Sequence, residues 1–523
     1  MVNTLRHPLI HPFSGWDVNR LVDAKADTRS DHPFVIWEPF SGQTDVWTYA
    51  RFAEDTKRLA AGLHARGVQA GDRVLIHLEN CPESILCWYA CARIGAIAVT
   101  TNARAAGPEL NYFAEHANAV AAITQPKFAE LVNANCPGLR WMVVTGHDSG
   151  EAPGAGQAVT GSDSFSALYG DASSAPGIDA EPMREVGIQY TSGTTSRPKG
   201  VVWTHANALW GFRINALHTD TRADDVHILH MPLFHTNAQA YSLGSTLYAG
   251  GSCVVMPRFS ASRFWPISLK HRCTWASMIA FCTRALMNHD VPAHHSYRRF
   301  GMSVCEPPTD AHFRVRTLGW WGMTETMTHG IIGDVHQRNR SMMIGKAAPE
   351  YGVAITDDEG QPARVGVPGH LLVKGTPGLS LFKEYLDNPG ATAEAFDEQG
   401  WFRTGDRVIL HDDGYIQFGD RDKDMLKVGG ENVAASEIER VIMSVPGVVE
   451  CAVVAKKDEM RDEVPVAFIL SSSDDQADMT TAVIAACEAQ LADFKVPREV
   501  HSVDDFPRST LEKIAKAKLR ERL

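Results

Sequence analysis

The densest concentration of phosphate-binding chemistry in the chain is the segment Tyr190-Thr-Ser-Gly-Thr-Thr-Ser-Arg-Pro-Lys-Gly200. Five hydroxyl residues, two glycines and a lysine fall within the ten positions after Tyr190. Hydroxyls and accessible backbone N–H groups donate hydrogen bonds and Lys199 adds a cation, which together are what a polyphosphate needs. A Walker A loop would carry Gly at 198 and Ser or Thr at 200, whereas this chain has Pro198 and Gly200. The segment is therefore a phosphate loop of another type.

The elements around it must hold it rigidly. Short apolar stretches, Val186 to Tyr190 and Val201 to Trp203, flank the loop and predict two strands joined by it. Upstream, Trp47 to Arg66 has helical spacing, Arg73 to Leu78 reads as a buried strand, Pro82 to Arg93 as a helix and Ile94 to Thr100 as a strand. That alternation predicts an α/β fold with largely parallel sheets in a large, multi-sheet N-terminal domain. Asp148 to Pro182 is rich in Gly, Ala, Ser and Asp and reads as a long surface connection. From about residue 423 the chain reads as a separate small α+β unit, which puts the domains at 1–422 and 423–523. Within it Ser436-Glu-Ile-Glu439 fits a capping box, Val448 to Ala455 and Val464 to Leu470 read as strands, and Thr480 to Leu491 reads as a helix before a basic C-terminal helix.

Further segments, in order along more than 300 residues, accompany the phosphate loop: Trp321-Gly-Met-Thr-Glu325, Gly400-Trp-Phe-Arg-Thr-Gly-Asp406, Asp420-Arg-Asp-Lys-Asp-Met-Leu-Lys-Val-Gly-Gly430 and Pro507-Arg-Ser-Thr-Leu-Glu-Lys513. Together they resemble the motifs of the adenylate-forming superfamily, which includes acyl-CoA synthetases, peptide-synthetase adenylation domains and beetle luciferases. The nearest likeness is to crotonobetaine/carnitine–CoA ligases, carried by Met231-Pro-Leu-Phe-His235, Phe259 to Trp265, Gly429 to Val433 and Phe494-Lys-Val-Pro497. The resemblance implies ATP, Mg²⁺ and coenzyme A as reactants and assigns roles by position. Thr191, Ser192, Gly193, Thr194 and Thr195 with Lys199 would cradle the β- and γ-phosphates. Trp321, where the family usually has Tyr, would cover the adenine beside Gly322. Thr324 would donate to the α-phosphate and Glu325 would hold Mg²⁺. Asp406 and Arg421 would hold the ribose, and Lys513 would bridge the attacking carboxylate and the α-phosphate. Glu512 stands where the family normally has Gly. Lys423 would be the hinge about which the tail rotates, and Gly429 and Gly430 would lie on the coenzyme A side.

The acid pocket follows less directly. His235 matches a position that lines it, Val304-Cys-Glu-Pro307 stands for a loop beside the substrate carboxylate, and Glu306 with Trp320 could receive a cationic acid such as a betaine. The same aromatics would suit an aryl acid. The implied activity is an AMP-forming acid–CoA ligase, with a carrier-protein-loading adenylation enzyme and a non-catalytic nucleotide-binding relic as alternatives. Composition narrows the rest. Lys plus Arg is 50 against 62 Asp plus Glu in 523 residues, a net charge of −12, which argues against nucleic acid and anionic membranes as partners. The N-terminal stretch lacks the apolar segment of a signal peptide, no apolar tract is long enough to span a bilayer, and the ten cysteines form no C-x2-C pair. These features predict a cytoplasmic protein with buried thiols, Cys87 and Cys91 sharing one helix face, and leave a homodimer open.

Overall fold

The computed structural model describes residues 10–150, 162–191, 198–421, 425–428, 431–458, 462–472, 476–491, 493–508 and 514–523. The described residues of 10–191, 198–350 and 375–394 form one compact unit, and those of 351–374 and 395–523 form a second.

The first unit contains two large sheets. One runs, edge to edge, through the strands Glu384–Tyr385, Gly200–Thr204, Glu185–Tyr190, Ile97–Thr100, Arg73–His77, Ala119–Thr124, Trp141–Val144 and Asp163–Ser164. Its central strands are parallel, and each is a short apolar run buried almost throughout, as sheets covered by helices on both faces require. The covering helix Pro82–Arg93 starts with Pro at its first turn, where the missing N–H costs nothing, and buries Cys87 and Cys91 as its spacing predicts. The strands Glu185–Tyr190 and Gly200–Thr204 pair antiparallel, so the phosphate loop joins two neighbouring strands as expected. The other sheet has nine strands, with Val226–Leu229 between Ser252–Val255 on one side and Trp275–Ser277 on the other.

Both sheets reverse their strand order here. Arg73–His77 lies between Ile97–Thr100 and Ala119–Thr124, and Val226–Leu229 is flanked in the same way. Loops leaving the carboxyl ends of such strands form the crevices where open α/β sheets bind ligands. The two loops are joined by one buried side chain. Asn80 Nδ2 donates to the carbonyls of Met231 (2.9 Å) and Met256 (3.1 Å), and Asn80 Oδ1 accepts from Leu233 N–H at 2.8 Å. All ten cysteines are buried and reduced.

In the second unit, Gly352–Thr356, Pro368–Lys374, Phe402–Leu410 and Ile416–Arg421 form a four-stranded sheet. Met425–Val428, Glu431–Ala434, Val448–Asp458, Asp462–Ser471 and Glu499–Ser502 form a five-stranded one. The helix Ala435–Ile442 packs Ile438, Val441 and Ile442 into the core of the latter. The predicted capping box is not formed. The helix begins one residue before Ser436, Ala434 is its N-cap, and the Ser436 hydroxyl instead donates to the Gly419 carbonyl. The helix Gln476–Gln490 begins four residues earlier than its spacing suggests. Among the described residues no helix is long and apolar enough to cross a membrane.

Candidate active site

The phosphate loop is closed at its neck by Thr191, whose N–H donates to Lys199 O at 3.0 Å and whose hydroxyl approaches the same carbonyl at 3.4 Å. Ser192, Gly193, Thr194 and Thr195 lie outside the described residues. Lys199 directs its ammonium over the ring of Tyr385, 4.6 Å from the centroid. The Tyr385 hydroxyl donates to Glu325 Oε1 at 2.8 Å, and both side chains are buried. Burial and the adjacent Glu325 charge push the Tyr385 phenol well above its ordinary range, so it stays a donor. The structure thus brings Lys199 and Glu325 together through an aromatic residue that the motif reading had not singled out.

Tyr385 is held from below. Its strand pairs with Gly200–Thr204, and the segment before it is wired to the helix His205–His218. Asn207 Nδ2 donates to the carbonyls of Leu379 (2.8 Å) and Leu381 (2.7 Å), and Thr204 Oγ1 donates to Gly378 O at 2.6 Å. The Glu325 carbonyl accepts from Phe382 N–H at 2.8 Å, and the Thr324 carbonyl accepts from Trp203 Nε1 at 3.0 Å. These bonds lock the turn that carries Thr324 and Glu325 before any ligand arrives.

Trp320 and Trp321 end the strand Arg316–Gly322. Trp320 is buried, stacked on His329 at 4.7 Å and 17°, with Tyr241 and Trp275 each at 6.0 Å. Its indole fits because residue 301 is Gly, since a Cβ there would lie 1.7 Å from the ring. Trp321 is 7% exposed and sits at a register shift between the strand and its antiparallel partner. At Gly322 a Cβ would fall 2.4 Å from both the Tyr241 hydroxyl and the Thr328 carbonyl, so the glycine of this motif is required by packing.

His235 is half-buried in the loop that Asn80 pins, with its ring 4.5 Å from that of Phe234. A π-helix, Asn237–Gly244, follows directly and is anchored by Thr236 Oγ1 and Gln239 to Gln189, and by Asn237 to Ser277. Wide turns of this kind mark functional sites more often than chance, and eight residues carry no periodic signal by which to read one from sequence. Val304 is half-buried beyond the strand Arg299–Met302. Glu306, in left-handed backbone, commits its carboxylate to its own surroundings: Asn339 N–H at 2.8 Å, Arg338 at 2.9 Å and Arg316 at 3.4 Å. These contacts tie it to its own loop and to the strand Arg316–Gly322.

In the second unit Asp406 is 8% exposed, donates its backbone N–H to Thr404 Oγ1 at 3.1 Å, and stands opposite Arg421 in the antiparallel register. The Arg421 side chain and residues Lys423, Gly429, Gly430 and Lys513 lie outside the described residues.

The model of the AMP-binding enzyme family matches residues 22–386, and that of the AMP-binding enzyme C-terminal domain matches residues 437–513. A crotonobetaine/carnitine–CoA ligase of Salmonella paratyphi A is 34% identical over 523 residues, covering 97% of this chain and 99% of the relative. Among solved structures, the anthranilate CoA ligase AuaEII in complex with anthranoyl-AMP superposes with a TM-score of 0.86 at 23% identity, covering 98% of each chain. O-succinylbenzoate coenzyme A synthetase from Bacillus subtilis, in complex with ATP and magnesium ion, superposes at 0.82 and 23% identity, covering 96% of this chain and 99% of that one.

Proposed function

Because the chain belongs to the AMP-binding enzyme family, and within it to the AMP-forming acid–CoA ligases, we propose that it activates a small carboxylic acid and passes the acyl group to coenzyme A. A carboxylate oxygen attacks the α-phosphorus of ATP, the bond to the β-phosphate breaks, and pyrophosphate leaves. The thiolate of coenzyme A then attacks the acyl carbon of the adenylate and AMP departs. Phosphoryl transfer of this kind needs position and charge compensation more than covalent help.

The observation that carries this reading is the Lys199–Tyr385–Glu325 group, a cation and a buried carboxylate fixed on one aromatic hinge. Lys199 and the loop from Thr191 hold the β- and γ-phosphates. Glu325 fits a hard cation that takes one or two carboxylates together with substrate phosphates, so it would hold Mg²⁺, which neutralises charge on the triphosphate. Thr324 donates to the α-phosphate, Trp321 packs on the adenine, and Asp406 with Arg421 holds the ribose hydroxyls. Lys513 compensates charge where the carboxylate meets the α-phosphate. The tail 423–523, turning at Lys423, removes Lys513 after adenylation and brings Gly429 and Gly430 to pantetheine, where the missing Cβ permits close approach.

The acid is small and either betaine-like or aromatic. Support for the first comes from the 34% identical relative, and support for the second from the Trp320–Tyr241–His329 cluster. Since Glu306 is engaged by arginines, any quaternary ammonium would be met by aromatic faces rather than by that carboxylate. The test is a panel of betaines, short enoic acids and arylacetic acids with ATP, Mg²⁺ and coenzyme A, following AMP and thioester. Thioester formation with stoichiometric AMP is expected, and release of ADP or indifference to coenzyme A would overturn the proposal.

A further inference from the structure

Outside the site just described, one face of the helix Gly107–His116 touches both ends of the phosphate loop. The Tyr112 hydroxyl donates to Pro198 O at 2.9 Å. Four residues on, His116 Nδ1 lies 2.9 Å from the Tyr190 hydroxyl, which also approaches Phe113 O at 3.4 Å. The two rings of the helix stack on each other, 5.1 Å apart at 25°, and Phe113 packs on Tyr190 at 4.5 Å.

The chemistry of these contacts is specific to the loop. Pro198 has no N–H, so its carbonyl is its one backbone hydrogen-bonding group. That carbonyl belongs to the same planar peptide as the N–H of Lys199. Holding it fixes the plane from which the Lys199 side chain departs toward the Tyr385 ring. His116 does the corresponding work at Tyr190, the residue that leads into Thr191. The helix is itself anchored, with Leu110 fully buried, the Glu109 carboxylate on Ala106 N–H at 3.0 Å, and Asn111 Nδ2 on Asn135 O at 2.9 Å.

We propose that Tyr112 and His116 are positioning residues for polyphosphate: they set the spacing of the loop's two ends and the heading of Lys199, and so the affinity for the β- and γ-phosphates, without touching the nucleotide. The inference rests on the assignment of this loop to ATP. It is tested by calorimetric titration of the full chain with Mg·ATP, pyrophosphate and AMP, comparing the parent with Tyr112→Phe, Tyr190→Phe and the double variant. Each single change keeps its ring and deletes one hydroxyl, so about fivefold weaker ATP and pyrophosphate binding is expected, in line with one net hydrogen bond. AMP, which lacks the two outer phosphates, should bind as before. Unchanged ATP affinity, or an equal loss for ATP and AMP, overturns the positioning role. A parent chain that binds neither ATP nor AMP instead overturns the ligase reading on which it rests.

Discussion

Tyr385 touches both charged groups of the phosphate site, and its two contacts can be separated. Tyr385→Phe removes the hydroxyl that Glu325 accepts while leaving the ring beneath Lys199. A buried carboxylate that loses a hydrogen bond is harder to keep charged and oriented. The Mg²⁺ concentration for half-maximal ATP–pyrophosphate exchange should therefore rise, with a rate loss of about tenfold at saturating metal, given roughly 1.4 kcal/mol of lost positioning. Tyr385→Leu removes the ring as well and should raise the KM for ATP too. Lys513 makes a contrasting case: Lys513→Ala should abolish adenylation yet leave thioester formation from supplied acyl-AMP largely intact, as assayed by the two half-reactions separately. At this scale Lys199 and Glu325 were legible as candidates because their types suit phosphate and metal chemistry. Tyr385 was not, because an aromatic in a short strand looks like core until its hydroxyl is seen on Glu325. Glu306 carries partners of the same hidden kind: an acid beside a pocket loop suggests a ligand contact, and its pairing with Arg316 and Arg338 is seen only in the structure.

Among the elements, the loops that leave the two large sheets depend on each other through Asn80. Asn80→Ala would strip three buried hydrogen bonds and leave the carbonyls of Met231 and Met256 and the N–H of Leu233 to find other partners. A loss of about 2–4 kcal/mol in denaturant unfolding is expected, at one to two buried unsatisfied groups. Because His235 and the π-helix follow that loop, the KM for the acid should rise more than the KM for ATP. Elements with strong local signals were readable to the residue, as with Pro82–Arg93, where Pro at the first turn and apolar spacing agree. The start of Ala435–Ile442 was misread because Ser436 offers a capping hydroxyl that tertiary structure spends on the Gly419 carbonyl.

For the molecule as a whole, several histidines are sealed in the core, His77, His205, His227 and His230 among them. His227 and His230 have no hydrogen-bond partner on either ring nitrogen, and burial lowers each to about 3; His77 and His205 are lowered to about 4. An unfolded histidine takes up its proton near pH 6.5, while these stay neutral in the folded state until pH 3–4. Between those values the unfolded chain binds more protons than the folded one, so stability falls as pH falls through that window. The urea midpoint should decline steadily from pH 7 to pH 4. His227→Phe with His230→Phe should flatten that decline if the variant folds, and a midpoint indifferent to pH in the parent would contradict the account.

The ten buried thiols have a practical consequence of another kind. Each lies beneath packed side chains, and burial holds Cys91 and Cys253 at about 12, so neither thiolate nor access is available to an alkylating dye at neutral pH. A cysteine introduced at an exposed position on each side of Lys423 would therefore be labelled in preference to every native one, with no native residue removed. The parent sequence is in that sense already a background for distance measurements by fluorescence, in which the proposed turning of the tail at Lys423 predicts a change in transfer efficiency between samples with ATP and with coenzyme A, and an unchanged efficiency would count against it.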